Sequence, residues 1–266
     1  MAYLLGCENV QLEYPTARLF DSLTLGVNSS DRIGIVGRNG DGKSTLLKLL
    51  AGVAEPDGGR VVRTGNVTVG MLAQRDSLDD GDTVGHAIVG DRPEYEWAGD
   101  ARVRAILSEL VSDLEWDAKI GTLSGGQRRR VDLARVLIGD YDVLMMDEPT
   151  NHLDLESREA LGTALQKFDG TLLMVAHDRW LLSQVGAEAW ALDEKGITVY
   201  PDFASYDTAR RAALESGSVS PSLNASNKAE KPDNAPRANL SREEQKRLKR
   251  EQAERRNALH KELKPL

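Results

Sequence analysis

A glycine-rich segment that ends in Lys43 and Ser44 carries the clearest chemical signal in the chain. Residues 37–44 read GRNGDGKS and match the pattern G-x-x-x-x-G-K-[ST] at every fixed position. Glycines lack a Cβ atom, so such a backbone can curl its N–H groups around phosphate oxygens, while the lysine adds a positive charge and the serine hydroxyl can ligate Mg²⁺. The segment therefore predicts a phosphate-binding loop. The alternative is a glycine-rich turn without a ligand.

An acidic pair, Asp147 and Glu148, closes a largely apolar run over residues 141–146. The run is typical of a buried strand in a parallel sheet, and open α/β sheets bind their ligands at the carboxyl ends of the strands. Asp147 is therefore a candidate Mg²⁺ ligand, and Glu148 is a candidate base that orients or deprotonates a water molecule. The alternative is two surface acids before a turn at Pro149.

The hydrophobic pattern indicates the elements that must position these residues. A strand-like run at 32–36 precedes the loop, and a helix-like run at 45–51 follows it. Residues 3–30 alternate as short strands and predict a small antiparallel sheet, whereas residues 83–138 are mainly helix-patterned. The predicted fold class is α/β: a mixed or parallel core sheet, an N-terminal antiparallel β subdomain and a helical lobe.

The C-terminal part of the chain has a different composition. We place one domain at 1–210, a flexible linker at 211–240, most clearly from Ser216, and a charged helical tail at 241–266. The tail holds nine Lys and Arg against five Glu, a net of +4, which leaves −12 for residues 1–240 out of a whole-chain charge of −8. A basic tail of this kind could contact RNA or DNA, and the alternative is a solvated helix of mixed charge.

The order of the motifs resembles that of ATP-binding cassette (ABC) ATPases. Besides the loop and the acidic pair, the chain has LSGGQ at 123–127, Gln74 after a strand-like run and His177 after an apolar run. The resemblance covers about residues 3–206. It implies a P-loop ATPase cassette that binds and hydrolyses ATP with Mg²⁺, in which the helical lobe presents the LSGGQ signature.

The resemblance also implies roles for individual residues. The implied nucleotide contacts are Tyr14, Gly37, Asn39, Gly40, Gly42, Lys43, Ser44, Thr45, Gln74, Ser124, Gly125, Gly126 and Gln127. The implied Mg²⁺ ligands are Ser44, Gln74 and Asp147, and the implied catalytic residues are Glu148 and His177. Tyr14 would stack on adenine, Gln74 would sense Mg²⁺ and the γ-phosphate, and His177 would contact the γ-phosphate. The alternatives are that Tyr14 packs at the end of a strand, that Gln74 lies in a solvated turn, and that His177 is a core histidine.

Two further expectations concern histidines outside this set. His86 and His260 are most simply surface residues, and His152 shapes its own loop.

In ABC proteins the signature completes the ATP site of a partner cassette, with Ser124 and the N–H groups of Gly125 and Gly126 capping the γ-phosphate. Because the chain has one copy of each motif, the resemblance implies a second cassette as partner, in a homodimer or a heterologous pair.

The sequence PTNHLD at 149–154 and the segment AHDRWLL at 176–182 are most similar to the soluble ABC-F family, in particular its Uup-like branch. Members of that family carry two cassettes and act on ribosomes or nucleic acid as translation factors. This chain departs from the pattern with one cassette, and we expect an internal fusion across 149–154. The alternatives are the ATP-hydrolysing subunit of a membrane transporter, which requires a permease, and a non-hydrolysing ATP-binding remnant.

Composition favours a cytoplasmic location. The longest apolar stretches, such as 172–176, are far shorter than the roughly 20 residues that span a bilayer. The first residues lack the basic segment and apolar core of a secretory signal. A single cysteine, Cys7, permits no internal disulfide and fits a reducing compartment.

Overall fold

The fold is known from a computed structural model, which describes residues 2–14, 17–193 and 196–215. The strands in this part of the chain are β1 (Tyr3–Tyr14), β2 (Ala17–Asn28), β3 (Arg32–Gly37), β4 (Gly58–Arg63), β5 (Val69–Leu72), β6 (Val143–Asp147), β7 (Thr171–Val175), β8 (Glu188–Asp193) and β9 (Gly196–Tyr200). The α-helices are α1 (Lys43–Leu50), α2 (Val84–Val89), α3 (Glu94–Trp97), α4 (Ala101–Leu110), α5 (Gly125–Leu137), α6 (Leu155–Gln166), α7 (Arg179–Gln184) and α8 (Phe203–Glu215). A 3-10 turn at Ile120–Thr122 precedes α5.

The core is a six-stranded sheet in the order β5-β6-β7-β3-β8-β9. The first five strands are parallel, and β9 pairs antiparallel with β8 at one edge. Strands β6 and β7 are buried along their whole length, as expected for central strands covered on both faces. The predicted mixed α/β sheet is confirmed, and its parallel strands bring the segments after β3, β5, β6 and β7 to one edge.

Side chains alternate across the sheet and divide the core into two apolar clusters. In β6, Leu144 and Met146 join the cluster formed with helices α2, α4, α5 and α6. Val143 and Met145 point the other way, into the cluster formed with α1 and the antiparallel sheet. This two-residue period is the ordinary consequence of strand geometry, and it means that each face of β6 is anchored by a different part of the chain.

The second sheet has three antiparallel strands in the order β2-β1-β4. The prediction of an antiparallel N-terminal subdomain is confirmed, but the prediction of short strands is wrong, because β1 and β2 are each 12 residues long. Their register shifts between Cys7 and Val10, and Asn9 has a left-handed φ of 49°. Such bulges let a long hairpin bend while it continues to pair, and in the sequence they interrupt the alternation that marks a strand.

Helices α2, α3, α4 and α5 form the helical lobe, within the range predicted for it. Trp97 of α3 stacks on Trp116 at a centroid distance of 5.4 Å. Helix α4 packs on α5 through buried side chains that include Val103, Ile106 and Leu110. The signature helix α5 is thus held from both sides, by the lobe and by the core sheet.

Helix α8 continues to Glu215 and crosses the domain boundary that we placed at 210/211. Composition alone could not separate the last turns of this helix from the polar segment beyond it. The rest of the predicted linker and the predicted charged tail, residues 216–266 with His260, lie outside the described residues. In the part that the structure describes, no helix has the length and apolar character to cross a membrane.

Candidate functional site

The loop between β3 and α1 has the backbone that the motif predicts. Gly37, Gly40 and Gly42 all have positive φ angles, of 155°, 96° and 93°. At Gly37 a Cβ atom would lie 2.6 Å from the carbonyl oxygen of Leu192, and at Gly42 it would lie 2.8 Å from the Leu19 side chain. Side chains at these two positions would therefore collide with the neighbouring structure, so glycine is required for the loop to close in this form.

Lys43 stands at the first position of α1 and is only 7% exposed. Its Nζ donates hydrogen bonds to the carbonyl oxygens of Gly37 (3.1 Å) and Arg38 (2.8 Å), so the ammonium lies within the curl of the loop. Burial lowers its pKa, and the nearby carboxylates of Asp41, Glu148 and Asp147 oppose that effect. No side chain caps the start of α1, which leaves its first N–H groups available to an anion.

Ser44 and Asp147 are 103 residues apart in the sequence and meet in the fold. Ser44 Oγ donates a hydrogen bond of 2.9 Å to Oδ1 of Asp147, which lies at the carboxyl end of β6 and is 1% exposed. A hydroxyl and a carboxylate at this separation are hard oxygen donors, the kind that Mg²⁺ takes together with substrate phosphates. The residues present therefore fit a Mg²⁺ ion bound jointly with a phosphorylated ligand. Among the described residues, no group of three or more His, Cys, Asp or Glu side chains could hold a metal by itself.

Glu148 follows Asp147 in a left-handed backbone conformation, with a φ of 49°. This conformation costs a residue with a side chain about 1–3 kcal/mol and persists where the surroundings enforce it. Its N–H donates to the carbonyl oxygen of Val175 (2.9 Å), and its Oε1 lies 3.2 Å from Nε2 of His177. The turn therefore directs the carboxylate to the histidine that follows β7.

The environments of Glu148 and His177 favour their neutral forms. Burial raises the pKa of Glu148, and the charge of Asp147 raises it further. Burial and the charge of Lys43 lower the pKa of His177. The His177 side chain is nevertheless 56% exposed, which argues against the alternative of a core histidine. A carboxylate with an elevated pKa beside a neutral imidazole is an arrangement suited to proton transfer.

Gln74 lies in a bend directly after β5 and is exposed. Because Leu72 of β5 pairs in parallel with Met146 of β6, the segment containing Gln74 leaves the sheet beside Asp147 and Glu148. Asn39 is exposed at the tip of the loop, and Thr45 is half-buried in the first turn of α1. For Tyr14 the structure describes only the backbone, at the end of β1, so its predicted contact with adenine stays a prediction.

The signature residues form the start of α5. Ser124 is the N-cap: its Oγ accepts a hydrogen bond from the Gln127 N–H (3.3 Å), and its own N–H donates to Oε1 of Gln127 (2.9 Å). Ser124 and Gly125 are exposed, so the Ser124 O–H and the first N–H groups of the helix can still donate to an anion. A Cβ atom on Gly126 would lie 3.1 Å from the carbonyl oxygen of His152, so this segment lies against the loop after β6.

The sequence predicts a surface position for His86 and a role for His152 in shaping its own loop. His86 is exposed, as predicted, but it is also paired: its Nδ1 lies 2.6 Å from Asp82 and its Nε2 3.2 Å from Asp91. The hydrogen bond with Asp82 raises its pKa. His152 has a φ of 64°, consistent with a role in the shape of its loop.

Sequence reasoning missed Arg129 of α5. This side chain is 4% exposed, and its guanidinium donates to the carbonyl oxygens of Ala73, Asp147 and Glu148. Burial lowers its pKa, although an arginine remains charged at neutral pH. The sequence signal is only a run of three arginines, 128–130, and helical periodicity does not reveal which of them turns towards the core.

Comparisons with known proteins agree on one family. The family model described as "ABC transporter" matches residues 20–151. The energy-dependent translational throttle protein EttA of Haemophilus influenzae is 32% identical, over 80% of this chain and 39% of its own length. A probable ATP-binding cassette sub-family F member 3 homolog of Encephalitozoon cuniculi is 35% identical, over 74% of this chain and 35% of its own length. The chain thus spans less than half the length of these relatives.

A solved structure supports the same relationship. The archaeal ribosome recycling factor aABCE1, in complex with ribosomal stalk protein aP1, superposes with a TM-score of 0.63 at 29% identity. The match covers 71% of this chain and 37% of that chain. The predicted resemblance to ABC ATPases, with ABC-F proteins among the relatives, is confirmed, and the partial coverage is consistent with a single cassette.

Proposed function

We propose that this chain, which belongs to the ABC transporter ATPase family and has ABC-F relatives, binds and hydrolyses ATP with Mg²⁺ between two cassettes. We further propose that it acts in the cytoplasm on a ribosome or another nucleic-acid assembly. The observation that carries the proposal is the meeting of Ser44 with Asp147, next to the pair of Glu148 and His177. These four side chains come from three distant parts of the chain and occupy one edge of the core sheet.

In the binding step the phosphates of ATP enter the loop 37–44. Its N–H groups and the start of α1 donate to phosphate oxygens, and Lys43 exchanges its carbonyl partners for the outer phosphates. Ser44 and Asp147 would hold Mg²⁺, which would supply positive charge to offset the negative charge of the phosphates. The low exposure of Lys43 makes its attraction to phosphate stronger than it would be at the surface.

In the hydrolytic step a water oxygen attacks the γ-phosphorus, and the bond from that phosphorus to the bridging oxygen of ADP breaks. Glu148 orients the water and accepts its proton, and His177 lies beside it to contact the γ-phosphate. An elevated pKa makes Glu148 a better proton acceptor than an ordinary surface glutamate. The products are ADP and phosphate.

The signature acts on a partner cassette. Ser124 and Gly125 are exposed, and the capping bonds of Ser124 use its Oγ as an acceptor and its N–H as a donor, so they do not use the Ser124 O–H or the Gly125 N–H. A γ-phosphate bound by a second cassette would accept from the Ser124 hydroxyl and from the first N–H groups of α5. Two cassettes that meet in this way form a clamp that closes on ATP and opens after hydrolysis.

The proposed target rests on the relatives. One is named for throttling translation, and the solved structure is of a ribosome recycling factor. The net charge of −12 on residues 1–240 disfavours direct contact of the cassette with a phosphate backbone, whereas residues 241–266 carry +4. We therefore assign contact with ribosomal RNA or other nucleic acid to the C-terminal segment.

Two variants test the chemistry. Lys43→Ala should abolish ATP binding, because it removes the charge that faces the phosphates. Glu148→Gln should retain binding and slow hydrolysis by about 10²–10⁴-fold, because it removes the base. Binding is measured with a fluorescent ATP analogue and hydrolysis by phosphate release.

Lys48→Ala is the matched control, since Lys48 is an exposed lysine in the same helix. Lys48→Ala should change neither the affinity for ATP nor the rate of hydrolysis. Equal ATP affinity in wild type and Lys43→Ala would contradict the phosphate-loop assignment. Unchanged turnover in Glu148→Gln would contradict the assignment of the base, and ATP binding without any turnover in the wild type would identify a non-hydrolysing protein.

A further inference from the structure

Arg129 contacts the two peptide groups that define the conformation of Glu148. Its Nη2 donates hydrogen bonds to the carbonyl oxygens of Asp147 (3.0 Å) and Glu148 (2.9 Å). The first of these carbonyls belongs to the peptide before Glu148 and the second to the peptide after it. One nitrogen therefore restrains the backbone on both sides of the proposed base.

This restraint acts on a residue that would not adopt its conformation unaided. Glu148 has a φ of 49°, in the left-handed region that favours glycine. Its N–H is bonded to Val175, and Arg129 supplies the opposing bonds to the carbonyls. The Glu148 carbonyl also accepts a hydrogen bond from the Asn151 N–H (3.2 Å), so loss of the Arg129 bonds would loosen the peptide after Glu148 without freeing it entirely. A loosened peptide would let the carboxylate move away from His177, which is 3.2 Å distant.

Arg129 also joins this turn to the segment of Gln74. Its Nη1 donates to the carbonyl oxygen of Ala73 (2.6 Å), the residue directly before Gln74. The preceding arginine, Arg128, pairs with Asp76 (2.6 Å) and with Asp80. Residues 73–80 and the turn at 147–148 are thus both attached to the first turns of α5, the helix whose N-terminus is the signature.

Packing alone does not account for a charged side chain at this position. Arg129 is 4% exposed, and in the described part of the chain its hydrogen bonds go to carbonyls and not to a carboxylate, while its Nε has no partner. The nearby Asp132 bonds to Arg135 instead (2.6 Å). Burial of a cation in this way is costly, and an apolar side chain would fill the space at lower cost. The specific gain from arginine is the set of three hydrogen bonds.

We propose that Arg129 is a positioning residue for hydrolysis, which holds Glu148 in its left-handed conformation and couples it to the signature helix. The inference rests on the proposed function, in which Glu148 is the base. Docking of a partner cassette on Ser124 and Gly125 would shift α5, and Arg129 would transmit that shift to Glu148 and to the segment of Gln74.

The test compares Arg129→Met, which keeps the length of the side chain without donors, with Arg130→Gln as the control. Arg130 is adjacent on the same helix, but its partner is Asp113 in the helical lobe (2.6 Å). Arg129→Met should lower kcat by about 10- to 100-fold with the KM for ATP within twofold of wild type, because a base displaced by about an ångström loses much of its effect. Arg130→Gln should leave both within twofold.

Arg129→Lys should give an intermediate kcat at the same KM, since one ammonium cannot serve three separated carbonyls. If Arg129→Met does not yield folded protein, as judged by its thermal melting, the lysine variant carries the test. A kcat within twofold of wild type in the folded variants would overturn the inference, as would a fall in ATP affinity equal to the fall in kcat.

A double variant separates this inference from the proposed function. In a Glu148→Gln background, Arg129→Met should slow hydrolysis no further, because the residue that it positions is already absent. If the two substitutions lower the rate of hydrolysis additively, Arg129 does not act through Glu148. That result would overturn the positioning role of Arg129 and leave the assignment of Glu148 as the base intact. If Glu148→Gln alone does not slow hydrolysis, the proposed function fails, and the effect of Arg129→Met then has no base through which to act.

Discussion

At the scale of single residues, the site combines groups that are unfavourable for folding. Glu148 has a left-handed backbone and a carboxylate that is 13% exposed, Lys43 is a nearly buried ammonium, and Arg129 is a buried guanidinium. Each of these features costs stability unless it is paired. Their concentration at one edge of the sheet is typical of a functional site, where geometry is maintained at the expense of stability.

The raised pKa of Glu148 leads to a prediction about stability. Because burial raises this pKa above the ordinary value of 4.5, the folded state favours the protonated carboxyl. The protonated Glu148 carboxyl therefore contributes to the stability of the folded state below about pH 4.5, and this contribution is lost as the pH rises through the elevated pKa. Without nucleotide, Glu148→Gln should melt at a higher temperature than wild type at neutral pH, and the difference should shrink as the pH falls towards 4.5.

Thermal melting at several pH values measures this difference. Glu159→Gln, at an exposed position in α6, is the control and should leave the melting temperature unchanged across the range. A Glu148→Gln variant that melts below wild type at neutral pH would show that the ionised carboxylate stabilises the fold, contrary to the argument from burial.

At the scale of elements, the capped N-termini of α5 and α6 determine where the loops of the site lie. Helix α5 begins with the reciprocal hydrogen bonds of Ser124 and Gln127, and α6 begins with Asp154, whose Oδ1 accepts from the Ser157 N–H (2.8 Å). The loop from Glu148 to Asp154 is therefore fixed at one end by β6 and at the other by a helix cap. A cap of this type stabilises a helix by about 1 kcal/mol.

Asp154→Ala should accordingly lower the free energy of unfolding by about 1 kcal/mol in urea denaturation, and Asp154→Asn, which keeps the capping oxygen, should lower it less. The Ser157 N–H lowers the pKa of Asp154, so the charged cap contributes above the ordinary value of 3.8 and is lost as the pH falls through the lowered pKa. Equal losses in both variants would mean that the cap is not the relevant interaction.

At the scale of the whole molecule, the two halves of an ATP site face different directions in the proposed dimer. In that proposal, the phosphate loop and the acidic pair would bind the nucleotide of their own chain, and the exposed start of α5 would offer donors to the nucleotide of the partner. A symmetric head-to-tail pair would complete two sites at once. Nucleotide should therefore be part of the interface.

Glu148→Gln should be largely monomeric without nucleotide and dimeric with ATP and Mg²⁺, because hydrolysis cannot release the clamp. Light scattering at micromolar protein measures this change. Adding Ser124→Arg should block pairing and spare ATP binding, whereas Ser108→Arg, at an exposed position of α4, should not interfere. A monomer with ATP would indicate that the chain requires a different cassette as partner.

The C-terminal segment provides a separate prediction. Removal of residues 216–266, which include the +4 stretch at 241–266, should leave ATP binding intact and weaken any association with ribosomes. Because such contacts release counterions, the full chain should lose its association as salt increases. Co-sedimentation with ribosomes at low salt measures the effect, and equal association of the truncated and full chains would assign the contact to the cassette.

Short motifs made part of the site predictable from the sequence. The loop at 37–44 is contiguous, and its glycines are required by the local backbone, so its pattern is complete in the sequence. The acidic pair at 147–148 follows a buried strand, and strand ends of a parallel sheet share one edge. These local rules also predicted the α/β class and the antiparallel subdomain, although bulges concealed the true length of β1 and β2.

Only the tertiary structure decided how these pieces combine. The hydrogen bond between Ser44 and Asp147 and the contact of Glu148 with His177 depend on the pairing of strands far apart in the chain. The left-handed turn at Glu148 is not encoded by glycine, and Arg129 is distinguished from its neighbours only by the direction in which the helix turns it. A sequence determines local backbone preferences directly, whereas burial and partners follow from long-range packing, which no single segment contains.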